Sequence, residues 1–130
     1  MSILDRIKQS IKADIPAKWH TLDNIASLDT IDQESHKQPI VLFKHSVTCG
    51  ISSAAKYRLE SELDELNENA KFYYLDLLSH RDISNAIASR YGVVHQSPQT
   101  IIIKKGNAIY DTSHHSINVK GINDAISKAN

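Results

Sequence analysis

The chain has 130 residues with 15 basic and 15 acidic side chains, so its formal net charge is zero when the histidines are neutral. That balance leaves no global field to draw nucleic acid or an anionic membrane surface. A chain of this length suits one domain with a core of its own, and the absence of any run of about 18 apolar residues removes a membrane-spanning helix. The single cysteine, Cys49, has no intramolecular disulfide partner, and the opening residues Met1 to Lys8 mix charge with apolar side chains, unlike a signal peptide. The cytoplasm is the expected compartment.

Ile3, Leu4, Ile7 and Ile11 recur at helical spacing until Ile15-Pro16, which predicts a helical extension over residues 1–16 ahead of a domain over residues 17–130. Trp19 to Ile25 reads as an edge strand. Ser27 then caps a short helix through about Ser35, with Leu28 and Ile31 inward. Lys37-Gln38-Pro39 turns the chain into Ile40-Val41-Leu42-Phe43, a fully buried strand. Beyond the cysteine, Ile51, Ala54, Ala55, Leu59, Leu63 and Leu66 predict a helix to about Asn67, with Arg58–Glu62 and Lys56–Glu60 as i,i+4 pairs on its solvated side. Lys71 to Leu78 is a strand by aromatic and apolar content.

Ser79-His80-Arg81-Asp82 has a capping pattern before a helix that buries Ile83, Ile87 and Tyr91 and ends at Gly92. After Ser97-Pro98-Gln99, the run Thr100 to Ile103 is a strand that Lys105-Gly106-Asn107 turns back into Ala108-Ile109-Tyr110. Asn118 caps a last helix burying Ile122, Ala125 and Ile126. The five tyrosines, Tyr57, Tyr73, Tyr74, Tyr91 and Tyr110, are read as core or half-buried residues. Parallel βαβ units therefore come first, and an antiparallel hairpin with a terminal helix comes last.

Chemistry concentrates where the second strand meets the second helix. A helix N-terminus carries unpaired N–H groups and partial positive charge, which favour thiolate over thiol, so Cys49 is the candidate nucleophile. Lys44 and His45 stand close before it in sequence, and Gly50 and Ser52 follow. Serine three residues after the cysteine has a hydroxyl too weakly acidic to attack a mixed disulfide, so whatever Cys49 captures needs an external thiol for release. The histidines form no pattern that specifies a metal site; His114-His115 are adjacent loop residues, without clustered cysteines or carboxylates.

The order of elements, Cys49-Gly50-Ile51-Ser52 at a strand-to-helix junction and Ser97-Pro98 before a core strand resemble the thioredoxin arrangement, an α/β fold with a central mixed sheet flanked by helices. The local patterns are more specific. Phe43-Lys44-His45-Ser46 with Cys49 and Ile51-Ser52, His95 with Ser97-Pro98-Gln99, and Ser113-His114 with Ile117 closely resemble the monothiol bacilliredoxin-like family of the bacillithiol system.

The resemblance implies a cis peptide bond before Pro98, with Ser97 offering its backbone to a bound disulfide. It places His95 and His114, rather than His115, beside the substrate. It implies a monothiol thiol-disulfide oxidoreductase acting through Cys49, with Lys44, His45, Gly50 and Ser52 around the thiolate. Bacillithiol or a related small thiol would be co-substrate, S-thiolated proteins the clients, and no cofactor tightly bound. A monomer or weak dimer is expected, with no nucleic acid or membrane partner. Two rivals remain at this point. One is an iron–sulfur carrier, because Cys-Gly-Ile-Ser resembles the Cys-Gly-Phe-Ser of monothiol glutaredoxins. Thr112-Ser113-His114-His115, however, departs from the Gly-Gly-x-Asp pattern that binds glutathione there. The other is a thioredoxin-fold adaptor without redox turnover.

Overall fold

The computed structural model describes residues 19–46 and 50–129. The expected helical extension over residues 1–16 and Cys49 itself lie outside the described residues. Among the described residues five strands form one sheet in the order β1-β3-β2-β4-β5: β1 (Trp19–Thr21), β2 (Ile40–His45), β3 (Lys71–Asp76), β4 (Gln99–Lys104) and β5 (Asn107–Ser113). Strands β1, β3 and β2 run parallel, while β4 is antiparallel to β2, and β5 to β4. Among the described residues four helices accompany them, α1 (Ser27–Glu34), α2 (Gly50–Ser61), α3 (Arg81–Tyr91) and α4 (Val119–Lys128), with single 3-10 turns at Leu63–Glu65 and His114–Ser116. The expected thioredoxin-like architecture is present.

All six residues of β2 are buried, because helices cover both faces of the sheet. Side chains alternate along a strand, so the two faces divide cleanly. Val41, Phe43, Phe72, Tyr74 and Ile102 pack with Ala55 and Leu59 of α2 and Ile122 and Ile126 of α4. Ile40, Leu42, Tyr73, Leu75, Ile101 and Ile103 pack with Leu28 and Ile31 of α1 and Ile83 and Ile87 of α3. Lys105 and Gly106 both take positive φ, 52° and 75°, as a two-residue hairpin with the twist of the sheet requires. The buried Ser35 anchors that turn, accepting from Lys105 N–H through its carbonyl at 2.9 Å and from Gly106 N–H through Oγ at 2.8 Å.

Several boundaries differ from the sequence expectations for local reasons. Strand β1 stops at Thr21, because Asn24 Oδ1 accepts from Ala26 N–H and turns the chain into α1. Ser27 is the first residue of that helix rather than its cap, and Ala26 precedes it without a side-chain capping bond. Helix α2 ends at Ser61 and not near Asn67. The segment beyond is held by Asn123 of α4, which accepts from Asn67 N–H at 2.9 Å and donates to the Glu65 carbonyl at 2.6 Å.

Strand β3 ends at Asp76, whose carboxylate accepts from Leu78 N–H and Ser79 Oγ; His80 precedes α3 without a side-chain cap. Gly92 does close α3 in the left-handed conformation, and Asn118 does cap α4, accepting from Gly121 N–H at 2.7 Å. On α2, Ile51 and Ala54 face outward, and Tyr57 is 73% exposed, so the apolar stripe there narrows to Ala55 and Leu59.

Candidate active site

Apart from Cys49, which lies outside the described residues, the residues singled out by sequence gather at the carboxyl end of β2. Gly50 opens α2, and Ser52, in its first turn, is wholly buried. Ser52 Oγ accepts from the Ser46 N–H at 3.2 Å, so it ties the end of the β2 segment to the helix across the stretch that contains Cys49. The hydroxyl is thereby committed to a structural bond.

Lys44 and His45 are neighbours in sequence but lie on opposite faces of the sheet, as strand alternation requires. His45 faces the α2 side, with its ring 5.7 Å from Phe43 and 5.7 Å from Tyr74. It is 3% exposed, and its Nδ1 has no hydrogen-bond partner among the described residues. Burial, reinforced by the positive charge of Lys56, pushes its pKa below the ordinary histidine value, while Asp76 and the Ser52 backbone pull the other way. His45 is therefore a neutral ring at pH 7, and a cationic contribution from this strand falls to Lys44.

Lys44 faces α3 and is fully buried. Its Nζ lies 2.8 Å from His95 Nδ1, and Ser84 Oγ of α3 lies 3.3 Å from that same nitrogen. No carboxylate pairs with Lys44 among the described residues. Burial alone pulls the ammonium down to about 8, and its charge helps burial hold the His95 pKa low.

The sign of the resulting stability effect follows from linkage. An unfolded lysine holds its proton to about pH 10.4. Below about pH 8 both states are protonated and the folded chain carries the full desolvation penalty. Above that, the folded state sheds its proton first, so stability rises with pH towards 10. Lys44→Met should therefore be more stable than the wild type at pH 7, on the order of 1–3 kcal/mol, with the advantage shrinking by pH 9.5. Urea unfolding of both proteins across that range checks this; a gap independent of pH would refute it.

The third part of the site is the loop before β4 and the turn after β5. The Ser97-Pro98 bond is cis, as the thioredoxin resemblance implied. Pro98 is buried, and Ser97 Oγ is buried with no hydrogen-bond partner among the described residues. His114 N–H donates to the Pro98 carbonyl at 3.1 Å, which brings the His114 turn against the cis peptide. His114 itself has φ of 56°, a left-handed conformation uncommon outside glycine.

Arg58 of α2 holds that turn: Nη2 donates to the His114 carbonyl at 3.1 Å and Nε to the Ile117 carbonyl at 3.2 Å. The expected Arg58–Glu62 surface pair is thus replaced by a clamp onto two carbonyls, whereas Lys56–Glu60 forms as expected at 2.5 Å. Arg58 and Ser84 were missed as site residues, and neither carries a signal in the sequence beyond ordinary helical spacing. His115 is exposed on the same 3-10 turn.

Comparison with known proteins bears on the family and the fold. A family model described as "Monothiol bacilliredoxin BrxC" matches residues 20–122. Among solved structures, one described as having a thioredoxin fold is 30% identical with a TM-score of 0.70, covering 83% of this chain and 93% of that one. Thioredoxin from Fasciola hepatica is 20% identical with a TM-score of 0.64, covering 85% and 99% of the two chains. The short form of spinach chloroplast thioredoxin f is 18% identical with a TM-score of 0.66, covering 86% and 93%. The last two likenesses bear on the fold alone.

Proposed function

The chain belongs to the monothiol bacilliredoxin family, and from that premise we propose that it removes bacillithiol, or a similar small thiol, from mixed disulfides on client proteins. The Cys49 thiolate attacks the small-thiol sulfur, the client sulfur leaves with the bonding electron pair, and Cys49 keeps the small thiol as a mixed disulfide. A second small thiol then attacks that adduct and regenerates Cys49. Ser97 and Pro98 line the docking edge for the disulfide, with His114 beside them, and Lys44 supplies buried positive charge. The expected setting is the cytoplasm, with the protein a monomer or weak dimer.

One observation supports this reading most: Ser52 is sealed in the core with its Oγ bound to the Ser46 N–H. The position three residues beyond Cys49 is therefore occupied by a group that neither ionises nor turns outward. A chain with that residue stops at the mixed disulfide.

Intact-mass measurement after mixing the protein with bacillithiol disulfide tests the proposal. Wild type should gain the mass of one bacillithiol and lose it on adding free thiol, while Cys49→Ser gains nothing. Equal behaviour of the two proteins, or a stable visible chromophore after anaerobic iron–sulfur reconstitution, would overturn it.

A further inference from the structure

Lys44 and His95 are separated by 51 positions in the chain and meet at 2.8 Å, and the surrounding contacts hold them there. Lys44 on β2 pairs directly with Gln99 on β4, so the two side chains stand side by side on the α3 face of the sheet. Gln99 is fully buried and pins the loop on both sides of His95. Its Nε2 donates to the Val94 carbonyl at 3.0 Å, and its Oε1 accepts from Gln96 N–H at 3.3 Å. From α3, Ser84 Oγ closes on the same His95 nitrogen. An ammonium only donates, so Nδ1 of His95 is the acceptor and its ring proton sits on Nε2. The residue as a whole is exposed, and Nε2 is the nitrogen left for an incoming molecule. His95 stands two residues before Ser97, in the same loop.

An imidazole fixed at one nitrogen by a buried cation, and open at the other in the loop that leads to the proposed docking edge, is arranged to hand over a proton. We propose that Lys44 and His95 form a relay that protonates the client sulfur as Cys49 displaces it. This rests on the thiol-transfer reading above. As the disulfide breaks, the client sulfur departs with the electron pair, His95 Nε2 gives it a proton, and Lys44 Nζ gives a proton to Nδ1. Lys44 is left as the neutral amine beside Nδ1–H, ready to take that proton back when Nε2 is next protonated. The client cysteine is reduced and Cys49 is oxidised to the mixed disulfide, so electrons balance. In the discharge step the same pair accepts the proton of the incoming thiol. His95 is the catalytic group, and Lys44 positions and recharges it. The Lys44 ammonium, drawn down to about 8, is close to an ordinary thiol at about 8.5, so proton transfer between them is nearly balanced.

Two disulfide probes separate the relay from a structural role. One releases an alkyl thiol, which needs a proton; the other is bis(nitrothiobenzoate) disulfide, whose aryl thiolate leaves without one. Single-turnover loading of Cys49 is followed at pH 7 for wild type, His95→Gln and Lys44→Met. The ratio of alkyl to aryl rate should fall at least ~10-fold in both variants, within the range general acids supply. A long-range nitrogen–proton spectrum should show His95 as the Nε2–H tautomer in wild type and lose that preference in Lys44→Met. An unchanged ratio, or an Nδ1–H tautomer in wild type, would overturn the relay while leaving thiol transfer intact. A Cys49 that loads from neither probe would overturn thiol transfer and the relay with it.

Discussion

Replacing Ser52 by cysteine should convert a thiol that loads once into one that discharges itself. The new sulfur would stand three residues after Cys49 in the sequence. Its attack on a loaded Cys49 becomes intramolecular, so the half-life of the mixed disulfide without added thiol should shorten at least ~100-fold. The substitution has a structural cost, because Ser52 Oγ accepts from the buried Ser46 N–H at 3.2 Å and sulfur is a poorer acceptor. A stability loss of about 1 kcal/mol is expected. Intact mass followed over time reads the discharge, and urea unfolding reads the cost. A loaded form as long-lived as that of the wild type would contradict the assignment of Ser52 as the reason the chain halts.

The second large effect lies in the core. Phe43 is fully buried on β2, edge-on to Trp19 with ring centroids 5.8 Å apart, with Phe72 and Tyr74 at 6.4 and 6.2 Å. Phe43→Ala removes a ring that these neighbours have no slack to replace, and should destabilise the fold by about 3–5 kcal/mol. Against a total of roughly 5–15 kcal/mol for a domain, that is enough to leave a marginal protein. Phe43→Leu keeps most of the volume and should lose far less. The same ring forms one wall of the His45 site, so the alanine variant should also broaden the His45 signals by NMR. A shift in urea midpoint no larger for alanine than for leucine would show that the site collapses around the gap.

The order of strands and helices was readable because each element announces itself locally, by an apolar run, a helical period or a turn residue. Facing was not. All of β2 is buried, so Ile40 to His45 shows no alternation between polar and apolar that would reveal which residue meets which helix. Only the assembled sheet sends Phe43 and His45 towards α2 and Lys44 towards α3. The residues of the site were legible as types near the cysteine or the proline; their pairing was not. Lys44 finds His95, and Arg58 finds the carbonyls of His114 and Ile117, through contacts that depend on β2 lying beside β4. Arg58 shows the limit plainly: its spacing to Glu62 suits a surface pair, yet the carbonyls of the left-handed His114 turn hold it. The cis bond at Pro98 was expected through family resemblance and not from the residues alone.

The Arg58 clamp has a consequence for synthesis. Its partners are 56 and 59 positions further along, and its hold on the His114 turn reaches the Pro98 carbonyl through one more hydrogen bond. A chain emerging from the ribosome presents Cys49 long before residues 95–117 exist, since domains are made from the N-terminus onward. The thiol therefore precedes the surface that would choose its clients. Contacts of such long sequence separation are slow to close. That surface, and the proposed His95 relay with it, is assembled only after residues 95–117 have been made.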